Sequence, residues 1–103
     1  MYVQRVSVYP QLGKEREMRH HLEAWVKTGQ GQGRKIGLSA AMFAAEGTVF
    51  VITVRLNDLG ELEQQRQRQR TDQAFQEFLT KSSALSHRAL KVELQEVIVA
   101  MPG

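Results

Sequence analysis

Apolar and polar positions alternate from Tyr2 to Tyr9, with Val6 and Val8 in one set and Val3, Arg5, Ser7 and Tyr9 in the other. The opening segment therefore reads as a half-buried strand stopped by Pro10. Gly13 then releases a helix. From Lys14 to about Lys27, Met18, Leu22, Trp25 and Val26 recur at three- and four-residue spacing and form one stripe. His21 and Glu15 border that stripe, and His20 lies opposite it. The segment Gly29 to Gly33, GQGQG, is predicted to be a loop, because each glycine adds backbone entropy to the cost of a helix. Two apolar runs between Ile36 and Leu56 meet at Glu46-Gly47, a dipeptide suited to a tight turn, and predict a central β-hairpin. In the second run Phe50, Ile52, Val54 and Leu56 alternate with Val49 and Val51, so both faces of that strand should be covered.

Past Leu56, Asp58 with Glu61 three residues on has the spacing of a capping box and starts a second helix. Its inward stripe reads Leu59, Leu62, Arg66, Gln69, Gln73. A different stripe, Phe75, Phe78, Leu79 and Ser82, begins on nearly the opposite side, because each helical residue advances by about 100°. One straight helix cannot turn both stripes to one core, so a break is predicted near Thr71-Asp72, either of which can cap a further short helix. Ala89 to Met101 closes the chain as a strand. Leu90, Val92 and Leu94 alternate with polar residues before Val97 to Ala100 turns continuously apolar.

The order strand, helix, strand, strand, broken helix, strand gives an α+β, ferredoxin-like βαββαβ fold. It is an antiparallel four-stranded sheet with helices on one face, in one domain spanning 1–103. One parity set of the strands is bulky and suits helix packing. The other (Val3, Ser7, Tyr9, Ser39, Ala41, Phe43, Val49, Val51, Thr53, Val97, Val99) is too apolar for a solvent-facing sheet, which predicts a homodimer through the open sheet face.

Composition narrows the classes further. The hydrophobic share of 42% and charged share of 24% are those of a globular chain. The absence of cysteine excludes a disulfide framework and thiolate metal sites and fits a reducing compartment, hence a cytoplasmic location. No stretch approaches the length of a membrane span. The net charge of +3 is spread along the chain with acids interleaved, and the arginines of Gln64 to Arg70 fan out on a helix, so neither a nucleic-acid nor a membrane partner is expected. The three histidines have no convergent spacing and give no metal site, and GQGQG follows a helix where a phosphate loop needs a strand.

The chain resembles the dimeric α/β-barrel superfamily, which contains antibiotic-biosynthesis monooxygenases, stress-responsive barrel proteins and NIPSNAP-like proteins. The resemblance spans nearly the whole chain. It is carried by the opening strand with LGKEREM, the hairpin IGLSAAMFAAEGTVFVITVRL, the polar stretch NDLGELEQQRQRQR, the segment TDQAFQEFLTKSSAL and the closing strand VELQEVIVAM. It implies two sheets facing each other in a barrel, a closing strand that extends onto the partner, and a pocket between each sheet and its helices. Haem-degrading members rely on an asparagine near the first strand, a tryptophan in the sheet and a histidine on the second helical stretch. Here the only asparagine is Asn57, the only tryptophan is in the first helix and the second helical stretch has no histidine, so haem binding does not carry over and no cofactor is expected.

Four residues are candidates for a substrate-binding site. Trp25 and His21, four apart, can face the sheet together, one as an apolar wall and the other as an acid, base or donor at its mouth; alternatively they are a core ring and a boundary residue. Tyr9 could present its phenol to a cavity or to the dimer seam. Arg66, in the predicted inward stripe, either snorkels to water or closes a pocket over an acidic ligand. No catalytic residue is assigned. Two functions stand: a homodimer that binds a small apolar or aromatic molecule, with cofactor-independent monooxygenase chemistry as the implied activity, or a non-catalytic regulatory or assembly protein on the same fold. A cavity of about 300 Å³ or more beside Trp25 with His21 or Tyr9 pointing in favours the first, and a filled core favours the second.

Overall fold

The structure, a computed structural model, describes residues 1–44 and 47–102, and of residues 42–44 the backbone alone. The elements are β1 (Tyr2–Val8), α1 (Glu15–Gly31), β2 (Ile36–Ala44), β3 (Gly47–Leu56), α2 (Leu59–Thr71), α3 (Gln73–Ala84) and β4 (Lys91–Glu96). The strands form one sheet in the order β2-β3-β1-β4 with every neighbour antiparallel, which is the ferredoxin-like arrangement expected. Of the predicted hairpin turn, Glu46 lies outside the described residues, as do the side chains of Met42 and Phe43. Gly47 has φ +85°, a value that glycine alone adopts freely.

Register fixes which side chains share a face. Val6 stands opposite both Ile52 and Val92, and Gln4 opposite both Val54 and Leu94. The set that includes Val8, Phe50, Ile52, Val54 and Leu56 is buried against Met18, Leu22 and Val26 of α1, Leu62 of α2 and Phe78 of α3. Met18 and Leu22 are entirely excluded from solvent, so the stripe read on the first helix is its buried one.

α1 continues through Gly29 to Gly31, past the point where a loop was expected. The stop signal is Gly33, not the first glycine of the run. Gly33 adopts φ +82°, its amide donates to Gln30 O (3.0 Å) and the Arg34 amide donates to Gly29 O (3.0 Å), the two bonds of a Schellman motif. Gly29 has a separate role inside the helix. It is buried, and a Cβ there would stand 3.0 Å from Ile36 Cγ2, so a larger residue would require the Ile36 side chain to give by a few tenths of an ångström where α1 lies against the start of β2.

The second helical stretch breaks where its stripes predict. α2 ends at Thr71, and the Asp72 carboxylate caps α3 by accepting from Ala74 N (3.0 Å) and Phe75 N (3.4 Å). The Gln76 side-chain amide donates back across the break to Gln69 O (3.1 Å). Asp72→Ala is expected to lower stability by about 1 kcal/mol in urea unfolding, the usual cost of losing an N-cap side chain. At the other end of α2, Asp58 Oδ1 accepts from Glu61 N (2.9 Å), while the Glu61 carboxylate accepts from the backbone and side-chain amides of Asn57. That is a capping box displaced by one residue on its return side.

Two expectations change. α2 turns Leu62 and Gln65 to the sheet and leaves Leu59 and Arg66 exposed, so the inward position after Leu62 is i+3 and not i+4. β4 ends at Glu96 and not at Met101. The Val97 amide donates to Met1 O (2.9 Å), the last backbone tie between β4 and β1 among the described residues. Ile98, Val99 and Met101 consequently stand 87–90% exposed. On the open face of the sheet Val49 is buried, and Val3, Val51 and Thr53 are half-buried among their neighbours. Among the strand and carboxyl-terminal residues, the exposed large apolar groups are those of β4 (Val92 58%, Leu94 43%) and of the terminal segment, rather than those of the open face.

Candidate ligand-binding cavity

The three helices do not cover the helix-side face evenly. α1 packs over β2 and β3, α2 packs over β3, and α3 packs chiefly against α1. The half of the sheet formed by β1 and β4 is thus left with a gap beneath α3. A cavity of about 140 Å³ occupies it, floored by Val6, Ile52, Val54 and Val92 and roofed by Phe75, Phe78 and Leu79. Trp25 forms the wall toward α1. Its ring stacks on Phe78 (centroids 4.4 Å, interplanar angle 13°) and meets Phe75 at 5.9 Å, so three aromatic rings from α1 and α3 brace one another at the edge of the space. Gln4 and Gln65 supply the polar part of the lining: Gln65 Nε2 donates to Gln4 Oε1 (3.0 Å), which accounts for a glutamine buried on α2.

The cavity opens toward the α2–α3 junction. An adjoining hollow of about 110 Å³ shares Trp25, Arg34, Gln65, Gln69 and Phe75 with it and adds Arg68 and Asp72. Farther out, a groove of about 330 Å³ carries Arg34, Lys35, Arg55 and Arg68, cations from three segments of the chain. Burial, and then the charge of Arg68, push the Arg34 guanidinium below its ordinary pKa, with Asp72 opposing. A further open cleft of about 260 Å³ lies between α1 and β2 and does not involve Trp25.

Of the residues singled out in the sequence, Trp25 lines the cavity. His21 sits one turn earlier on α1, on the seam with α3, and lines an open groove there with Trp25 and Lys81. Its ring stacks on Phe78 (4.9 Å), and its Nε2 lies 2.8 Å from Ser82 Oγ and 3.3 Å from Phe78 O. Since the Ser82 hydroxyl donates to Phe78 O (2.8 Å), the imidazole proton is on Nε2, and Nδ1 is the nitrogen able to accept. Tyr9 is buried at the far end of β1. The Arg88 guanidinium lies 4.3 Å from its ring centroid, and the His87 ring meets it edge-on at 6.2 Å. Arg66 is on the exposed side of α2. The structure thus brings Trp25 and His21 to the two sides of Phe78 and keeps Tyr9 and Arg66 away from both. Reasoning from sequence missed Arg34, Gln65, Arg68 and Phe75 as lining residues. Gln65 and Arg68, three apart on α2, share a helix face, but Arg34 precedes β2 and Phe75 is on α3, and no spacing joins these three segments.

Burial is the main cause that lowers the His21 pKa from 6.5; the Lys81 charge acts the same way, and the hydrogen bond to Phe78 O opposes them. A lowered folded-state value means that the neutral ring is favoured on folding. Its contribution is present above pH 6.5 and is lost as pH falls through the folded value. The melting temperature is therefore expected to drop as pH falls below about 6.5, and His21→Gln should flatten that part of the profile.

No protein-family model matches the chain, and no curated protein matches it. Solved structures do. A crystal structure of an antibiotic biosynthesis monooxygenase superposes with a TM-score of 0.72 at 13% identity, covering 99% of this chain and all of the other. Rv0793 from Mycobacterium tuberculosis gives 0.72 at 13% identity over 98% of both chains. A Deinococcus radiodurans protein, provisionally assigned as an antibiotic biosynthesis monooxygenase, gives 0.77 at 14% identity over 99% of this chain and 97% of its own. At such identities the likeness is one of architecture, and it runs from end to end. The chain therefore has the α+β ferredoxin-like fold of the antibiotic biosynthesis monooxygenase structures, with its own cavity in the space between sheet and helices.

Proposed function

We propose that this protein binds a small, largely aromatic molecule in the cavity beside Trp25 and does so as a homodimer in a reducing, cytoplasmic setting. The observation that carries the reading is the gap under α3, walled by Trp25 and Phe75; it is smaller than the roughly 300 Å³ expected, and neither His21 nor Tyr9 lines it. A cavity of about 150 Å³ suffices for a benzene-sized guest. At about 140 Å³, with the adjoining hollow of about 110 Å³, the space suits one or two rings. The reaction suggested by the likeness to antibiotic biosynthesis monooxygenases is oxygenation without a cofactor. Among the described lining residues the polar groups are Gln4, Arg34, Gln65 and Gln69, none of them a base near neutral pH, so only a substrate acidic enough to ionise on its own suits that chemistry. The same lining favours, as a second reading, a non-catalytic binding protein on this fold.

Two measurements separate these readings. Titration with 1-naphthol should quench or shift Trp25 emission with micromolar to millimolar affinity; unchanged emission up to the solubility limit would exclude the cavity as a binding site. Oxygen uptake with 1,4-naphthalenediol, compared with buffer alone, should then exceed the background for an oxygenase and equal it for a binding protein.

A further inference from the structure

The chain gathers Arg34, Lys35, Arg55 and Arg68 at one groove, and the groove runs into the mouth of the cavity through Arg34, Gln65 and Arg68. The acids nearby are already engaged. Glu61 is held by the two amides of Asn57, and Asp72 accepts the first amides of α3. The ion pairs among the described residues, Lys14–Glu17, Arg19–Glu23 and Lys91–Glu93, include none of the four cations. Like charges collected from three segments repel; Glu61 on the groove and Asp72 at the mouth stand outside ion-pair distance and offset the four cations only in part. Arg34 is moreover half-buried, with its charge set against that of Arg68. A guanidinium presents a planar fork of donors that matches an oxyanion, so the balance of positive charge left by two acids against four bases is one a ligand can meet.

We propose that the ligand is an anionic amphiphile, with an apolar body of one or two rings in the cavity and a carboxylate or phosphate held at the mouth by Arg34 and Arg68. This rests on the reading of the cavity as a binding site and adds the chemistry of its entrance. Lys35 and Arg55 lie farther along the groove and extend the attraction to incoming anions.

The test uses the full chain and Trp25 emission, with 2-naphthoate, its methyl ester and 2-naphthyl phosphate as probes. 2-Naphthoate is expected to bind at least about tenfold more tightly than the ester, with the advantage shrinking in about 0.5 M salt. Arg68→Gln and the double variant with Arg34→Gln should reduce the advantage to about twofold or less, by weakening acid binding far more than ester binding. Arg68 is exposed, so its single substitution carries the test even if the double variant fails to fold. Equal binding of acid and ester would overturn the proposal while leaving the cavity reading intact. A preference for the acid that survives both substitutions would overturn the assignment to these arginines. Binding of none of the three probes would remove the cavity reading and the proposal together. Tighter binding of the phosphate than of the carboxylate supports the proposal and assigns the groove to a phosphorylated ligand; parity supports it with a carboxylate.

Discussion

Phe78→Ala is expected to lower the unfolding free energy by about 3 to 5 kcal/mol, the usual range for removing a buried phenylalanine ring. The ring is 9% exposed and lies between Trp25, stacked at 4.4 Å, and His21, stacked at 4.9 Å. It is the central piece of the seam between α1 and α3 and part of the roof of the cavity. α3 has few other holds on the rest of the molecule, so the seam has little material with which to refill the space. Stabilities of small domains lie near 5 to 15 kcal/mol, and a loss of this size would leave the variant partly unfolded under mild conditions. Urea unfolding followed by circular dichroism measures it, and Phe78→Leu should cost much less because most of the volume is kept. A loss below about 1 kcal/mol for the alanine variant would show that α3 collapses onto α1 without the ring, and the account of the cavity as braced by three aromatics would fall.

The second large effect concerns assembly. Ile98, Val99 and Met101 stand almost wholly in water, next to the exposed Val92 and Leu94 of β4. Burying one such side chain contributes about 1.5 to 3 kcal/mol, and a two-fold dimer would bury each of them twice. Under the homodimer proposal the protein sediments at twice 11.7 kDa. Ending the chain at Val97, or placing aspartate at both Ile98 and Val99, should weaken association by at least about a thousandfold, or roughly 4 kcal/mol. Sedimentation at micromolar concentration would then give an 11.7 kDa species. If the unaltered protein itself sediments at 11.7 kDa when folded, the dimer is lost; if truncation leaves a dimer unchanged, the terminal segment is not what holds it.

Local patterns carried much of the architecture. The alternation in Tyr2–Val8 and Gly47–Leu56, the stripe on α1 and the shift of phase at Asp72 each concern neighbours within one element, and each appears where its periodicity places it. Properties that depend on partners were harder to read. GQGQG looked like a loop because glycine is costly in a helix, but the closeness of Ile36 to Gly29 and the left-handed turn at Gly33 belong to the packed chain. The step from Leu62 to Gln65 or to Arg66 is one residue, and the choice was made by Gln4 on β1, which offers Gln65 a hydrogen bond. Trp25 could be picked out as a large ring on a buried stripe. Its stacking partner, and the meeting of Arg34 with Arg68, are tertiary facts that no spacing encodes.

The junction at Asp72 also limits how the length of this chain can vary. A single residue separates α2 from α3, so it sets the rotational phase of one helix against the other. Inserting or deleting one residue there would turn α3 by about 100° and swing Phe75 and Phe78 away from Trp25. Added residues beyond Val97 would meet no such constraint, since the Val97 amide makes the last backbone tie to β1. Insertions beyond Val97 should therefore cost the fold of a single chain far less than insertions at the helix junction, a contrast that an insertion scan read by folding rather than by association would reveal.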